Sequence, residues 1–219
     1  MSKTKVVILG AGGFGREVHM TIKYMQNQHE QFEILGYLDD NQSFKGTFLN
    51  DLVVLGGLEW LQEHKSENIK CIVTIAEPST RKKVIEELQL DILPQTIIHP
   101  STIYSDTSKI GKGTILQPGC IITTNTEIGD YVHVNLYVTI GHDSIVENYV
   151  TINPGVHING NTKIGEGTYI GSGVTMKHGI SIGKWCVIGA GSVVITNIPD
   201  NSMYVGVPAK FKKKIPYTD

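Results

Sequence analysis

Cysteine is scarce in this sequence: Cys71, Cys120 and Cys186 are the only three in 219 residues, and they are widely spaced. None stands in a CxxC or Cys/His spacing, so the sequence predicts neither a disulfide framework nor a metal site. Basic residues do not outnumber acidic ones, and a net charge of -2 offers no field for nucleic acid or anionic lipid. No apolar run has the length of a membrane span or a secretion signal. These absences indicate a cytoplasmic protein without metal, nucleic-acid or membrane partners.

Residues 1–97 alternate strand-like and helix-like segments. The strand-like runs are "KVVILG", "FEILGYLDD", "CIVTIA" and "TIIH", and the helix-like segments lie around 13–28, 58–65 and 78–90. This alternation predicts an α/β domain with a small parallel sheet. Four strands make one mononucleotide-binding half, which is too little for the paired halves that hold NAD, so we expect a half-Rossmann-like domain.

From about residue 98 the helical periodicity ends and a six-residue repeat takes over. Every sixth residue is aliphatic at fifteen consecutive positions: Ile110, Leu116, Ile122, Ile128, Val134, Ile140, Val146, Ile152, Ile158, Ile164, Ile170, Met176, Ile182, Ile188 and Val194. Gly or Asn often follows directly, which we interpret as the tight bend of a coil corner. Three hexads would close one triangular coil, so residues 98–205 predict a parallel β-helix and residues 206–219 a C-terminal tail.

Positions eighteen residues apart should lie above one another in such a helix. One column then holds Thr124, His142, Gly160 and His178. A glycine stacked on a histidine predicts an empty slot beside His142. A histidine at a corner is also commonly no more than a solvated polar residue, so the column alone leaves the role of His142 open.

Several motifs carry a family resemblance. The hexapeptide repeat, "GHDS" at 141–144, "NGN" at 159–161 and "VGVPAK" at 205–210 resemble the acyltransferases with a left-handed β-helix. A "VVILGAGGFGREV" domain before the helix is similar to the sugar N-acetyltransferases of bacillosamine, viosamine and perosamine synthesis and to sialic acid O-acetyltransferases. The resemblance implies acetyl-CoA as cosubstrate and a homotrimer with active sites between neighbouring subunits.

The resemblance also implies roles for residues of the β-helix. Acetyl transfer needs a base for the acceptor and a donor for the oxyanion, and a neutral imidazole suits the first task. His142 is the expected base, Asp143 its acidic partner and Gly160 the backbone donor, although Asp143 could equally be a solvated corner carboxylate. Asn135 is expected to reach the acceptor sugar across a subunit interface. A structural ladder with Asn153 is the alternative for Asn135.

On the acetyl-CoA side the resemblance assigns six residues: Thr151, Gly160, His178, Ala190, Pro208 and Lys210. Thr151 stands where some relatives carry a second histidine. The lysines after residue 209 would approach the coenzyme phosphates, or would serve only as a solubilising terminal run.

In the first domain, Gly10, Gly12 and Gly15 have GxGxxG spacing between a strand and a helix, which favours an anion at the helix N-terminus. The resemblance makes this the site of a nucleotide-linked sugar. The expected binding residues are Gly10, Gly12, Gly13, Phe14, Gly15, Asp39 and Asp40. Relatives often have His at the position of Phe14.

The function expected from the sequence is acetyl-CoA-dependent N-acetylation of a nucleotide-linked amino-deoxysugar, with a 4-amino-4,6-dideoxyhexose as the first candidate, for surface polysaccharide or glycan synthesis. UDP, dTDP and GDP, and the 3- or 4-amino position, stay open. The alternatives are O-acetylation of a sialic acid or other sugar, and a non-catalytic β-helix that acts as a scaffold or nucleotide sensor.

Overall fold

The structure is a computed structural model that describes residues 3–26, 32–87 and 93–216. Its contacts divide the chain into two compact units. The first comprises Met1–Ala76 and Thr80–Ile97, and the second comprises Glu77–Ser79 and Ile98–Asp219. No helix within the described ranges is long and apolar enough to cross a membrane.

The first unit is an α/β domain. Its strands are β1 (Thr4–Leu9), β2 (Phe32–Leu38), β3 (Phe48–Leu49), β4 (Leu52–Gly56), β5 (Lys70–Val73) and β6 (Leu93–Pro94). Its helices are α1 (Gly13–Gln26), α2 (Glu59–Glu63) and α3 (Pro78–Glu87), with 3-10 turns at Gln42–Phe44 and Lys65–Glu67. The sheet order is β3-β4-β2-β1-β5-β6, and all pairs are parallel except β3 with β4. The central strand β1 is apolar because both faces of a parallel sheet are covered.

These elements confirm the α/β prediction and correct two of its details. The predicted helix positions 27–28 and 88–90 lie outside the described residues. Strand β4 was missed, although its "LVVLG" run follows Asn50 and Asp51, which have positive φ and make the turn after β3. "TIIH" was wrongly placed in this sheet, because Ile97–Ile98 is instead an edge strand of the β-helix and Leu93–Pro94 takes the sheet position. A short apolar run does not reveal its partner strand.

The second unit is a parallel β-helix with three faces. Face 1 consists of Ile97–Ile98, Ile115–Leu116, His133–Val134, Thr151–Ile152, Tyr169–Ile170, Val187–Ile188, Ser202–Val205 and Lys210–Lys214. Face 2 consists of Ile103–Tyr104, Ile121–Ile122, Thr139–Ile140, His157–Ile158, Thr175–Met176 and Val193–Val194. Face 3 consists of Lys109–Ile110, Glu127–Ile128, Ile145–Val146, Lys163–Ile164 and Ser181–Ile182. Only the last strand of face 1 is antiparallel to its neighbour.

The hexad prediction is confirmed residue by residue. Strands pair with partners eighteen positions away, as in Ile121 with Thr139 and Thr139 with His157. Fourteen of the fifteen aliphatic positions are buried in one continuous core, and the fifteenth, Ile110, is partly buried against it. Stacking of like aliphatic side chains in successive coils therefore supplies the hydrophobic stabilisation that single two-residue strands lack.

The predicted reason for the repeat's glycines is wrong. Gly141, directly after its aliphatic residue, has no left-handed φ, and a β-carbon there would collide with the backbone N of Gly160 in the next coil. Gly171 is similar, because its β-carbon would lie 2.5 Å from the N of Ala190. The left-handed residue comes two positions later, as at Asp143. Close approach of successive coils, rather than the bend, is what excludes a side chain.

Candidate active site

One edge of the β-helix lies where face 2 turns into face 3, and we call it the His142 edge; it carries residues 124–125, 142–143, 160–161 and 178–179. The second residue of each pair is left-handed, with φ of 55° at Asn125, 57° at Asp143, 54° at Asn161 and 72° at Gly179. Asn, Asp and Gly tolerate this conformation best, so the local sequence suits the turn.

His142 and Asp143 form a pair on this edge. Nδ1 of His142 lies 2.8 Å from Oδ2 of Asp143, and both side chains are about half exposed. An ionised carboxylate only accepts hydrogen bonds, so the ring proton belongs on Nδ1 and the lone pair on Nε2. The hydrogen bond from His142, followed by one from Asn125, lowers the pKa of Asp143. The pair can therefore accept a proton at Nε2 while the carboxylate stays ionised.

The predicted empty slot beside His142 is filled. A β-carbon added to Gly160 would lie 2.6 Å from Nε2 of His142 and 2.8 Å from its Cδ2 and Cε1. The imidazole thus lies against Gly160, and glycine is required there because the ring takes the space of a side chain. The described residues provide no acceptor for the backbone N–H of Gly160.

His178 stands on the other side of Gly160. Its ring centroid lies 5.8 Å from that of His142, and Nδ2 of Asn161 is 3.5 Å from its Nε2. The structure therefore brings His142, Asp143, Gly160 and His178 together on one edge. Among the described residues, no group of three His, Cys, Asp or Glu could hold a metal ion.

Asn135 is on a different edge, between faces 1 and 2, and is 8% exposed. Its Oδ1 accepts the N–H of Leu136 at 2.9 Å, whereas Nδ2 of Asn153 donates to the carbonyl of Ile170 at 2.7 Å. These two amides bond to the backbone, so they do not form the ladder considered above. Thr151 is buried on face 1.

The remaining predicted acetyl-CoA residues are Ala190, Pro208 and Lys210. Ala190 is exposed on the same edge as Asn135, and the turn that contains Pro208 is held by the N–H of Ala209, which donates to the carbonyl of Val193 at 2.8 Å. Lys210 is exposed and begins the last strand. His142, Asp143, Gly160 and His178 thus lie on one edge of face 2, and Asn135 and Ala190 on the other, whereas Thr151 and Lys210 belong to strands of face 1. A single chain does not bring the His142 group and the Asn135 group together.

The glycine loop of the first unit is shaped by close approach. A β-carbon at Gly15 would collide with the carbonyl oxygen of Gly10, which has a φ of 109°. Nothing lies within 4 Å of the β-carbon position at Gly12 or Gly13, so this side of the loop is open. The Thr74 hydroxyl donates to the carbonyl of Leu9 at 2.9 Å and ties the loop to β5, a contact that the sequence did not indicate. Phe14 lies in the first turn of α1 and is partly exposed.

Asp39 and Asp40 support the same edge of the sheet. Oδ2 of Asp39 accepts the N–H of Ala11 at 2.9 Å, and its Oδ1 accepts the N–H of Asn41 at 3.0 Å. Asp40 accepts the N–H of Leu58 at 3.3 Å. Both carboxylates therefore already have backbone partners, so any ligand would share these oxygens rather than find them bare.

The comparisons with known proteins cover both units. The family model of the PglD N-terminal domain matches residues 5–88, and the bacterial transferase hexapeptide (six repeats) model matches residues 143–178 and 161–196. The chain is 34% identical to the GDP-perosamine N-acetyltransferase of Escherichia coli O157:H7 over 66% of its own length and 65% of that protein. The match thus spans slightly less than two thirds of this curated relative.

Two solved structures match nearly the whole chain. The acetyltransferase domain of PglB from Neisseria gonorrhoeae FA1090, in complex with acetyl coenzyme A, has a TM-score of 0.88 and 29% identity, covering 96% of this chain and 100% of that one. WeeI from Acinetobacter baumannii AYE has a TM-score of 0.85 and 30% identity, with the same coverage.

Proposed function

Because the chain belongs to the hexapeptide-repeat sugar N-acetyltransferases with a PglD-type N-terminal domain and a left-handed β-helix, we propose that it transfers the acetyl group of acetyl-CoA to a nucleotide-linked amino-deoxysugar. The observation that carries the proposal is the His142 edge. There the imidazole of His142, with its lone pair on Nε2, lies against Gly160. The backbone N–H of Gly160 has no acceptor among the described residues.

The reaction follows from these groups. The sugar amine attacks the thioester carbon, and its proton passes to Nε2 of His142, whose positive charge Asp143 then stabilises. The N–H of Gly160 donates to the oxyanion of the tetrahedral intermediate. The C–S bond then breaks, the C–N bond remains, and the imidazolium returns the proton to the departing thiolate. The products are the N-acetylated sugar nucleotide and CoA.

The nucleotide is assigned to the open side of the glycine loop, next to Asp39 and Asp40. Exposed Gly12 and Gly13 at the start of α1 leave backbone amides accessible to a phosphate. The name of the E. coli relative makes a GDP-linked 4-amino-4,6-dideoxyhexose the first substrate to test. The three cysteines are free and buried, which is consistent with a reducing cytoplasm as the place of action.

The active unit is proposed to be a homotrimer that packs through face 2. The outward residues of face 2 are Ile103, Ile121, Thr139, His157, Thr175 and Val193, and none is Lys, Arg, Asp or Glu. Face 3, in contrast, carries ion pairs such as Lys109 with Glu127 at 2.6 Å. An uncharged face between two edges with site residues suits a subunit contact that brings Asn135 of one copy to His142 of another.

Two isoleucines provide a matched test of this contact. Ile121 on face 2 is 40% exposed and Ile145 on face 3 is 41% exposed. Sedimentation at micromolar concentration should show a trimer for the wild type and for Ile145→Arg, and smaller species with lost activity for Ile121→Arg. A wild-type monomer, or equal behaviour of the two variants, would contradict the contact.

The reaction itself is tested by thiol release from acetyl-CoA. The panel contains GDP-, UDP- and dTDP-linked 4-amino-4,6-dideoxyhexoses, a 3-amino isomer and sialic acid. Release with one amino sugar nucleotide is expected. Release with sialic acid alone would replace N-acetylation by O-acetylation, and no release with any acceptor would favour the scaffold.

A further inference from the structure

We infer that Asn125 is a positioning residue: its side-chain amide fixes the carboxylate of Asp143, which in turn fixes the imidazole of His142. Nδ2 of Asn125 donates to Oδ1 of Asp143 at 3.0 Å, while the other oxygen, Oδ2, bonds to Nδ1 of His142. The two carboxylate oxygens therefore have separate partners on opposite sides. This inference rests on the proposed role of His142 as base.

Asn125 is itself held in place by the preceding coil. Its backbone N–H donates to Oγ1 of Thr107 at 2.9 Å, and that hydroxyl also lies 2.9 Å from Oγ of Ser105. Oγ1 of Thr124 lies 3.4 Å from Oδ1 of Asn125, a weak contact that places the amide oxygen on that side. The amide nitrogen therefore faces Asp143, since a flipped amide would put two oxygens against each other. A row of hydroxyl and amide groups thus leads along the edge to the carboxylate.

The corresponding residue two coils later, Asn161, does not share this task. Asn161 has the same residue type and nearly the same φ, but its amide points to Nε2 of His178 at 3.5 Å. Asp143 is about half exposed, so without Asn125 the hydrogen bond to His142 would be the one side-chain contact shown, among the described residues, to orient its carboxylate. An anchored carboxylate keeps the imidazole in one tautomer and one orientation, which is what a base needs during turnover.

The left-handed backbone of Asn125 allows clean variants. Asn125→Gly removes the amide and suits a φ of 55°, and Asn125→Asp keeps size and backbone preference but replaces the donor with an acceptor. The control is Asn68→Gly, because Asn68 has a φ of 54° and lies in the first unit, at the end of the Lys65–Glu67 turn.

Steady-state kinetics across pH provides the test. Asn125→Gly should lower kcat about tenfold, the scale for losing a hydrogen bond to a charged group, with both KM values nearly unchanged. Asn125→Asp should lower kcat at least as much, and should move the acid limb of kcat/KM upward by roughly half a pH unit, because added negative charge keeps the imidazole protonated. Asn68→Gly should match the wild type.

Other titratable groups stay constant in this comparison. Those on the His142 edge and the adjoining faces are Tyr104, Asp106, Lys109, Glu127, His157, Lys163, Lys177 and His178. All eight are present in every variant, so a difference between the profiles reports the substitution at Asn125.

A double-mutant cycle separates positioning from general structural support. In an Asp143→Ala background, Asn125→Gly should cause no further loss of kcat, because the carboxylate that it orients is gone. Wild-type kcat and pH profile in both Asn125 variants would overturn the inference while leaving the proposed function intact. Additive losses in the double mutant would overturn it as well. The proposed function has its own separate test, since it requires that His142→Ala lose at least about two orders of magnitude in kcat.

Discussion

A second edge of the β-helix, where face 3 turns into face 1, can be compared with the His142 edge; we call it the capped edge. At the hexad position that corresponds to His142, it carries Lys112, Asp130 and Lys184. There the backbone amides are capped by side chains from the next turn of the chain. Lys112 N–H donates to Asp130 at 2.9 Å, Asp130 N–H to Asn148 at 2.8 Å, and Lys184 N–H to Asp200 at 2.8 Å. On the His142 edge, the equivalent N–H of Gly160 has no such cap among the described residues. The same backbone is thus closed on one edge and open on the other.

The residues with left-handed φ also differ in type between the two edges. On the capped edge they include Tyr131 and Tyr149, whose rings stack at 5.8 Å, and Trp185, whose indole covers Gly167. On the His142 edge they are Asn125 and Asp143, whose side chains bond to each other, and Asn161 and Gly179. The repeat therefore supplies a backbone that is nearly identical at every corner, and a few departures from the repeat decide where chemistry can occur.

The largest effect should come from His142→Ala. Loss of a general base should lower kcat by at least about two orders of magnitude, with little change in stability because the side chain is half exposed. His64→Ala is the matched control, since His64 lies in the first unit, has no assigned role in the reaction, and has its Nδ1 2.8 Å from the carbonyl oxygen of Trp60. A kcat of His142→Ala within threefold of the wild-type value would contradict the assignment of catalysis to the His142 edge.

Gly160→Ala should be nearly as damaging. Its φ is not left-handed, so the methyl group causes no backbone strain, but it requires the space of the His142 ring. Displacing the imidazole by about 1 Å should lower kcat about fiftyfold. Kinetics and thermal unfolding measured together check this, because an equal loss of melting temperature and activity would point to misfolding instead.

A substitution on the capped edge should lower stability and leave activity unchanged. Trp185 is 9% exposed, and Trp185→Ala should destabilise the fold by about 2 kcal/mol, less than for a fully enclosed core position. The specific activity of the folded enzyme should remain that of the wild type. Denaturant unfolding and steady-state kinetics on the same preparation check this prediction. A lowered kcat in folded Trp185→Ala would contradict the proposed difference between the two edges.

The smallest effect concerns pH. Because hydrogen bonds from His142 and Asn125 lower the pKa of Asp143, its carboxylate should stay ionised above about pH 4, the usual value for Asp. The acid limb of kcat/KM should then contain no contribution from Asp143. A limb with a slope of two would show that the carboxylate titrates in the same range.

The sequence predicted the β-helix well because one repeated side chain, such as Ile140 or Ile158, is buried in each hexad. It failed where spatial neighbours decide the role of a residue. Gly141 is needed for the approach of the next coil, and Gly160 for the ring of His142, but the sequence shows only glycine. Asn125 was missed because nothing nearby in the chain marks it, although its distance of eighteen residues from Asp143 was an available signal.

In the N-terminal unit too, the sequence did not reveal contacts between residues that are distant in the chain. The "GAGGFG" motif located the loop, yet it could not reveal that Asp39 holds the N–H of Ala11 or that Thr74 binds the carbonyl of Leu9. Such long-range hydrogen bonds depend on sheet order, and the apolar runs alone did not determine that order.

The most direct test of the account is a crystal structure of the protein with acetyl-CoA. The uncapped backbone N–H of Gly160 should face the thioester. We therefore expect the thioester carbonyl oxygen about 3 Å from the backbone N of Gly160, and the carbonyl carbon of the acetyl group beside Nε2 of His142. A thioester bound elsewhere, with the Gly160 amide facing only solvent, would contradict the assignment of the His142 edge as the active site.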